Sequence, residues 1–362
     1  MKIKLIVEQI ENALKTVNMA VPSQTPKPIL RSVRLQTKNK KLYLSATDLE
    51  VAVCVKVPAA QVKENIDLAI PADKLAAIIK EDPAEALEVK IKADSCEITG
   101  SDSRYTVMTY RTEDLPATVD VTGSISFEIK LGELQAAIKK VIFATGKETG
   151  FIMSGILWEL DVKNLRMVCT DGRRLALCDT KIKGKKTEIR PLVPKKVLKI
   201  IAHLDVDADK PVLVKINERN ISFKCEHITV TSSLLEGPFP KYQDIVPADY
   251  KKVIRLSTVA ALKAIRRAAI FTDAESNAIK LSVSKNKVTI SARLAECGDC
   301  EIDMQAEYKA ELVEVCFNAR FLTDGLGAID DDQFDLALGG ADSPGLLTMG
   351  DNYKYVIMPI QI

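Results

Sequence analysis

A repeat of about 124 residues runs through this 362-residue chain and restricts its folds more than any single motif. Leu14-Lys15-Thr16-Val17, Ile138-Lys139-Lys140-Val141 and Ile265-Arg266-Arg267-Ala268 follow one another at 124 and 127 residues, each behind a strand-like segment (3–5, 127–129 and 253–256). Ala46-Thr47-Asp48-Leu49 returns as Cys169-Thr170-Asp171-Gly172, 123 residues later. A strand running into a helix recurs around Pro71, Pro194 and Asn318, at spacings of 123 and 124. Proline suits a helix opening, where a missing amide costs nothing, and Asn318 suits an N-cap. Solenoid repeats run about 20–50 residues, so the repeated object here is a whole domain.

Three similar domains are therefore expected, at 1–118, 124–247 and 252–362, with polar, turn-rich joints near 113–124 and 236–252. The length agrees, since one hydrophobic core rarely serves more than about 250–300 residues. In the first domain a helical apolar period appears at 8–17 and 71–80, and strand-like alternation at 42–45 and 51–57. The pattern predicts an α+β fold in which each domain lays two helices on antiparallel sheets. Two strand-and-helix halves per domain give six helices, and repetition of whole domains suggests a ring or arc with those helices on one side.

The total charge, 51 basic against 49 acidic residues, makes no case for a nucleic-acid or membrane partner. Its distribution does. On the six expected helices Lys15, Lys74, Lys80, Lys139, Lys140, Lys195, Lys196, Lys199, Lys263, Arg266, Arg267 and Arg320 stand against Glu8, Glu11, Asp73, Glu133 and Asp324. Any one of these lysines reads by itself as an ordinary solvated helix residue; the collective bias points to a polyanion. Aromatics at 5% with one Trp argue against stacked bases or sugars, which leaves the phosphate backbone. Apolar content of 47% excludes wholesale disorder. No stretch approaches the roughly 18 apolar residues of a membrane helix, and residues 1–7 carry no long apolar signal segment, so the cytoplasm is expected. The eight cysteines, mostly in strand-like patterns such as Val53-Cys54-Val55, read as reduced core thiols.

Pro28-Ile29-Leu30, Thr47-Asp48-Leu49-Glu50, Cys169-Thr170-Asp171-Gly172-Arg173-Arg174-Leu175-Ala176, Glu236-Gly237-Pro238-Phe239-Pro240-Lys241-Tyr242 and the ending Tyr355-Val356-Ile357-Met358-Pro359, in this order across the whole chain, resemble the beta subunit of bacterial DNA polymerase III, the replicative sliding clamp. The resemblance implies a head-to-tail homodimer: each three-domain chain is half of a ring around double-stranded DNA, with helices lining the hole. It implies a non-catalytic processivity factor, needing no cofactor, that tethers the DNA polymerase III catalytic subunit, the clamp loader and other DNA-processing proteins. A heterologous interface makes a ring only if its rotation closes. Cationic helices near phosphates supply a sequence-independent, salt-sensitive attraction compatible with sliding.

Carried over position by position, the resemblance implies DNA contacts at Lys74 and Lys196, with Phe151 where an inner-loop aromatic is common and Lys199 in the same DNA-facing set. Gln24 and Asp73 replace basic residues, leaving Lys139, Lys140, Arg266 or Arg267 to compensate. It also implies an outer pocket for short partner peptides, built from Met153, Thr170, Gly172, Arg173, Arg174, Leu175, Pro240, Ile245, Pro344, Val356, Ile357, Met358, Pro359 and Ile362. Such a mainly apolar site anchors one or two large side chains; without the resemblance, the C-terminal run reads as a buried edge strand. Gln361 and Asp244 replace basic residues and make the rim less positive. For the ring interface the candidates are Tyr105, Val107, Ile270 and Phe271, which otherwise read as domain core. The competing non-enzymatic reading is a three-domain scaffold that binds proteins without encircling DNA.

Catalytic readings find little. Cys297-Gly298-Asp299-Cys300 has the spacing of a redox pair or half a zinc site, but there is no second CxxC and His203 and His227 lack partners at ligand spacing, so a hairpin turn is the simpler account. Gly146-Lys147-Glu148-Thr149-Gly150 fails the phosphate-loop spacing. Asp330-Asp331-Asp332 lacks the spaced ligands of a calcium loop and reads as a solvated turn, and the lysine run at 181–186 reads as a solvated loop.

Overall fold

One pattern, a strand, a helix and a three-stranded meander, occurs six times along the chain in this computed structural model, which describes residues 2–57, 65–115, 121–122, 125–146, 153–184, 188–247, 250 and 252–361. The first copy is β1 (Lys2–Ile6), α1 (Val7–Asn18), β2 (Ser32–Lys38), β3 (Lys41–Thr47) and β4 (Val51–Val57). The second is β5 (Asp67–Pro71), α2 (Ala72–Glu81), β6 (Ala86–Ile91), β7 (Ser95–Thr99) and β8 (Arg104–Met108). The third is β9 (Ile125–Lys130), α3 (Leu131–Val141), β10 (Gly155–Leu160), β11 (Asn164–Thr170) and β12 (Arg174–Lys181), followed by the short β13 (Lys183–Gly184). The fourth is β14 (Leu192–Pro194), α4 (Lys195–Ala202), β15 (Pro211–Ile216), β16 (Asn220–Cys225) and β17 (Ile228–Ser233). The fifth is β18 (Lys252–Ser257), α5 (Thr258–Ala268), β19 (Ala278–Ser284), β20 (Lys287–Leu294) and β21 (Gly298–Gln305). The sixth is β22 (Val313–Asn318), α6 (Ala319–Leu326), β23 (Gln333–Leu338), β24 (Gly345–Met349) and β25 (Tyr353–Ile357).

Copies exchange their leading strands in pairs: β1 joins β6 and β5 joins β2, β9 joins β15 and β14 joins β10, β18 joins β23 and β22 joins β19, all antiparallel. Each repeated domain is thus two interlocked halves. The chain forms two compact units, and the second repeat contributes to both. One unit, Met1–Glu133, Lys183–Lys185 and Lys196–Leu234, holds the sheets β1-β6-β7-β8 and β13-β9-β15-β16-β17-β4-β3-β2-β5. The other, Leu134–Ile182, Lys186–Lys195 and Leu235–Ile362, holds β14-β10-β11-β12-β25-β24-β23-β18 and β21-β20-β19-β22. Repeats are fused by sheet continuity, since β4 pairs with β17 and β12 with β25.

Local sequence accounts for these elements. In β4 the residues Val51, Val53, Val55 and Val57 alternate inward with period two, and α1 turns Ile10, Ala13, Leu14 and Val17 toward β3 and β4. Burying each such Leu, Ile or Val contributes roughly 1.5–3 kcal/mol. Asn318 caps α6 as expected, its side-chain oxygen accepting from the Arg320 and Phe321 amides at 2.9 and 3.2 Å. Pro71 and Pro194 close β5 and β14, and a helix begins at the next residue in each case.

Several expectations need correction. Within the lysine run, Lys181 ends β12 and Lys183-Gly184 pair with Glu128 and Phe127 of β9, where Lys183 opposite Glu128 makes a favourable cross-strand charge pair. Helix α2 extends to Glu81, so six acids rather than five face the twelve bases on the helices. Only Cys96, Cys169, Cys178 and Cys225 are buried; Cys54, Cys300 and Cys316 are half-buried and Cys297 is exposed in the β20–β21 turn, while Cys300 already lies in β21. Among the described residues no disulfide joins any of the eight, and burial pushes the thiols of Cys96 and Cys178 up to about 11. Asp331 and Asp332 do form an exposed turn, whose carbonyls accept from the Thr258 hydroxyl and amide at 2.7 and 2.8 Å.

Candidate functional site

In the second unit β12 and β25 meet with Leu175 opposite Val356 and Arg174 opposite Ile357, and the Met358 amide donates to the Arg173 carbonyl at 2.9 Å. Side chains alternate across a sheet. Leu175 and Val356 therefore join Leu157, Val168, Leu177, Leu192, Tyr242, Ala337 and Leu346 in one buried cluster, against which Leu235, Phe239, Val246 and Tyr250 pack. Tyr242 is fixed by donating to Glu159 Oε2 at 2.6 Å. A hollow of about 270 Å³ opens beside the cluster between Leu157, Leu192, Phe239, Pro240 and Tyr242. Ile357 and Arg174 project from the opposite face of the sheet.

The β11–β12 turn is fixed by its own side chains. Thr170 Oγ1 donates to the Arg174 carbonyl at 2.7 Å and accepts from the Gly172 amide at 3.1 Å, while Asp171 Oδ1 accepts from the Arg173 and Arg174 amides at 3.0 and 3.1 Å. Gly172 takes φ +86° without the strain a side chain would bring, and a Cβ there would meet nothing within 4 Å, so the space outside the turn is open. Met153, Arg173, Pro240, Ile245 and Met358 are exposed, and Pro344 and Pro359 half-buried. Ile362 lies outside the described residues. Leu157, Leu192 and Phe239 are not among the pocket residues expected from the sequence; Leu157 sits in the run Gly155-Ile156-Leu157-Trp158, buried on both faces, which carries no alternation to mark an outer side.

Arg174 occupies a different environment, with its side chain only 9% exposed. Its Nε donates to Asp171 at 2.9 Å, Nη1 to Asp324 of α6 at 2.7 Å and Nη2 to the Phe143 carbonyl at 2.8 Å. The guanidinium lies 4.4 Å from the Phe321 ring centroid and 5.5 Å from that of Phe143. Burial works against the charge, but the Tyr355 hydroxyl and the Asp324 carboxylate more than offset it and hold Arg174 above its ordinary value.

The helices present bases on the faces they do not bury. Lys199, Lys263, Arg266, Arg267 and Arg320 are exposed and Lys140 is half-buried, all without an ion-pair partner among the described residues. Other bases are engaged: Lys139 with Asp330 at 2.8 Å, Lys74 with Asp73 at 3.6 Å, Lys15 with Glu11 at 3.0 Å, and Lys196 with the largely buried Asp48. Gln24 and Asp73 are exposed, and Phe151 lies outside the described residues.

Among the terminal strands of the four sheets are β8, which ends the four-stranded sheet of the first unit, and β21, which ends that of the second. A hollow of about 630 Å³ borders β8 between Pro28, Ala77, Ile78, Tyr105, Val107 and Met108. Met108 is 67% exposed, whereas Val107 is mostly buried and Tyr105 half-buried. The Tyr105 hydroxyl donates to Asp82 at 3.0 Å; Ser103 and the Ala84 amide donate to the same carboxylate, and these bonds, Ser103 foremost, hold its pKa below the ordinary value. Beside β21, Ile270 is 70% exposed and Phe271 half-buried. Along β21 itself Asp299, Glu301 and Asp303 alternate on one exposed face. Among the described residues no cluster of three His, Cys, Asp or Glu could hold a metal, and no helix is long and apolar enough to cross a membrane.

Six strand-helix-meander copies, fused in pairs into three domains, define a clamp-domain protein. Residues 1–120, 128–241 and 243–361 match in turn the N-terminal, central and C-terminal domains of the DNA polymerase III beta subunit. The chain is 29% identical to the beta sliding clamp of Pseudomonas aeruginosa over 98% of both chains, and 26% identical to that of Chlamydia pneumoniae over 100% of this chain and 99% of the other. The crystal structure of the Pseudomonas aeruginosa DNA polymerase III subunit beta superimposes with a TM-score of 0.95 at 28% identity, each chain covered in full. A structure of that organism's sliding clamp bound to griselimycin matches with a TM-score of 0.94 at 28% identity, again covering both chains in full. The chain belongs to the DNA polymerase III beta subunit family, the beta sliding clamps.

Proposed function

We propose that this protein acts as a processivity clamp: two copies joined head to tail form a ring that holds duplex DNA by topology, in the cytoplasm, without catalysing a reaction and without a cofactor. The observation that carries this reading is the sixfold repetition of a helix that buries one face on its own sheet and offers lysine or arginine on the other. A lining of mobile cations attracts phosphates of any sequence and lets the duplex slide. Lys74, Lys139, Lys140, Lys196, Lys199, Arg266 and Arg267 are the proposed DNA contacts, within domains spanning 1–118, 124–247 and 252–362.

The seam joins the β8 edge of one copy to the β21 edge of the other. Met108, Ile270 and Phe271 supply the apolar contact, with Tyr105 and Val107 behind it, and Arg104 of β8 faces the acidic face of β21. Two β21 edges meeting each other would oppose like charges, which favours the head-to-tail choice. The hollow lined by Pro240 and Tyr242, acting with Leu175 and Met358, receives short apolar segments of the polymerase catalytic subunit, the clamp loader and other DNA-processing proteins, and griselimycin binds there too. Primer extension by the cognate polymerase and clamp loader tests the function: this protein should lengthen products from each binding event, and unchanged product length would refute the reading.

A further inference from the structure

We propose that Arg174 is a positioning residue, a buried strut that ties the Asp171-Gly172-Arg173 turn, which leads into Leu175 of the apolar cluster bordering the hollow, to helix α6 and to the segment following α3; this rests on the hollow being the partner-peptide pocket. Each of its three nitrogens already donates a hydrogen bond. Nε holds Asp171, Nη1 holds Asp324 and Nη2 holds the Phe143 carbonyl, at 2.9, 2.7 and 2.8 Å. The guanidinium plane is also occupied, by Phe321 at 4.4 Å. A group so enclosed has little left with which to grip a peptide, and it projects from the sheet face opposite the apolar cluster.

The internal repeat supplies a control within the same chain. The equivalent turn in the first repeat is built bond for bond the same way. Thr47 donates to the Val51 carbonyl at 2.9 Å, Asp48 Oδ1 accepts from the Glu50 and Val51 amides at 3.0 and 2.8 Å, and the Ser233 amide donates to the Glu50 carbonyl at 3.1 Å. Leu49 there even holds φ +84°, against +86° at Gly172. Val51 stands in the place of Arg174, so the turn needs no arginine to take its shape. What Arg174 adds is the link to α6 and Phe143.

That link is costly unless it has a use. Asp324 lies in the last turn of α6, where the helix dipole disfavours a carboxylate, and Arg174 provides its compensation. Neighbouring packing holds the strut rigid: the Phe143 and Tyr355 rings meet edge to face at 5.2 Å, the Tyr355 hydroxyl donates to the Phe321 carbonyl at 2.9 Å, and Gly325 gives the Tyr355 ring space that any Cβ would fill. Because the Met358 amide bonds to the Arg173 carbonyl, a turn that shifts carries Met358 with it.

Calorimetry with griselimycin as probe tests this on the full-length protein carrying Asp324→Asn, Arg174→Met or both. Asp324 lines no part of the hollow, yet its replacement should weaken binding about fivefold, and the double variant should bind no more weakly than Arg174→Met alone, the non-additivity of residues acting as one unit. The Gly172 amide resonance should move in Asp324→Asn, which a general loss of stability would not produce. Wild-type affinity in Asp324→Asn, or additive losses in the double variant, would overturn the proposal. Met358→Ala separates the two ideas: if it leaves griselimycin affinity unchanged, the pocket assignment itself fails, whereas a weakened Met358→Ala beside an unaffected Asp324→Asn rejects only the strut.

Discussion

Replacing Ile270 by alanine tests the proposed seam with little risk to the fold, because the side chain is 70% exposed in the single chain and supports no core. Full burial of an isoleucine is worth about 1.5–3 kcal/mol, so burying its exposed share across the seam contributes about 1–2 kcal/mol. A two-chain ring contains the seam twice. The loss on dimerisation is then about 2–4 kcal/mol, or about a 30- to 700-fold rise in dimer Kd, since each 1.4 kcal/mol is tenfold. Sedimentation equilibrium over a concentration series measures that constant directly, and a thermal melt of the same sample checks the fold. Val162→Ala, another exposed apolar residue but outside the seam, should leave the Kd unchanged. An Ile270→Ala dimer within threefold of the parent would refute the seam and the doubling argument together.

At the pocket, Met358→Ala removes an exposed thioether beside Arg173 and should weaken griselimycin by about tenfold, roughly 1.4 kcal/mol, in a calorimetric titration; equal affinity refutes the placement. On the helices, Arg266→Ala with Arg267→Ala should reduce the slope of log affinity against log salt on short duplex DNA by up to about 1.8. Lys139→Ala should change it less because Asp330 already engages that ammonium, and an unaltered slope in the arginine pair would place α5 away from DNA. Asp82 has its carboxyl pKa lowered in the fold, chiefly by Ser103, so its stabilising contribution is complete above the ordinary carboxylate range near pH 4 and is lost as pH falls through the lowered value. Melting curves should show Asp82→Asn less stable than the parent at neutral pH with the gap closing in strong acid; a gap that persists unchanged contradicts the assignment.

Much of this architecture is legible in the repeat itself. Thr47-Asp48 and Thr170-Asp171 predict one turn made twice, and the bonds agree closely; the strand-to-helix junctions at Pro71, Pro194 and Asn318 fall where expected. The exchange of leading strands was not legible, because β1 pairing with β6 joins residues 80 to 88 positions apart and no local period encodes it. Nor was β13, whose two residues are recruited by an edge strand rather than by their own propensity. For Arg174 the difficulty is different: a basic residue in a short motif looks like surface, and only the alternation of β12, together with Phe321 and Asp324 from a segment about 150 residues away, shows it to be enclosed.

Topological linkage is the central claim, and retention on circular DNA measures it most directly. Loaded on a nicked circle, the protein should stay bound at a salt concentration that strips ordinary phosphate contacts, and should leave when one restriction cut linearises the circle. Equal loss from circle and line, or equal retention on both, would contradict a closed ring.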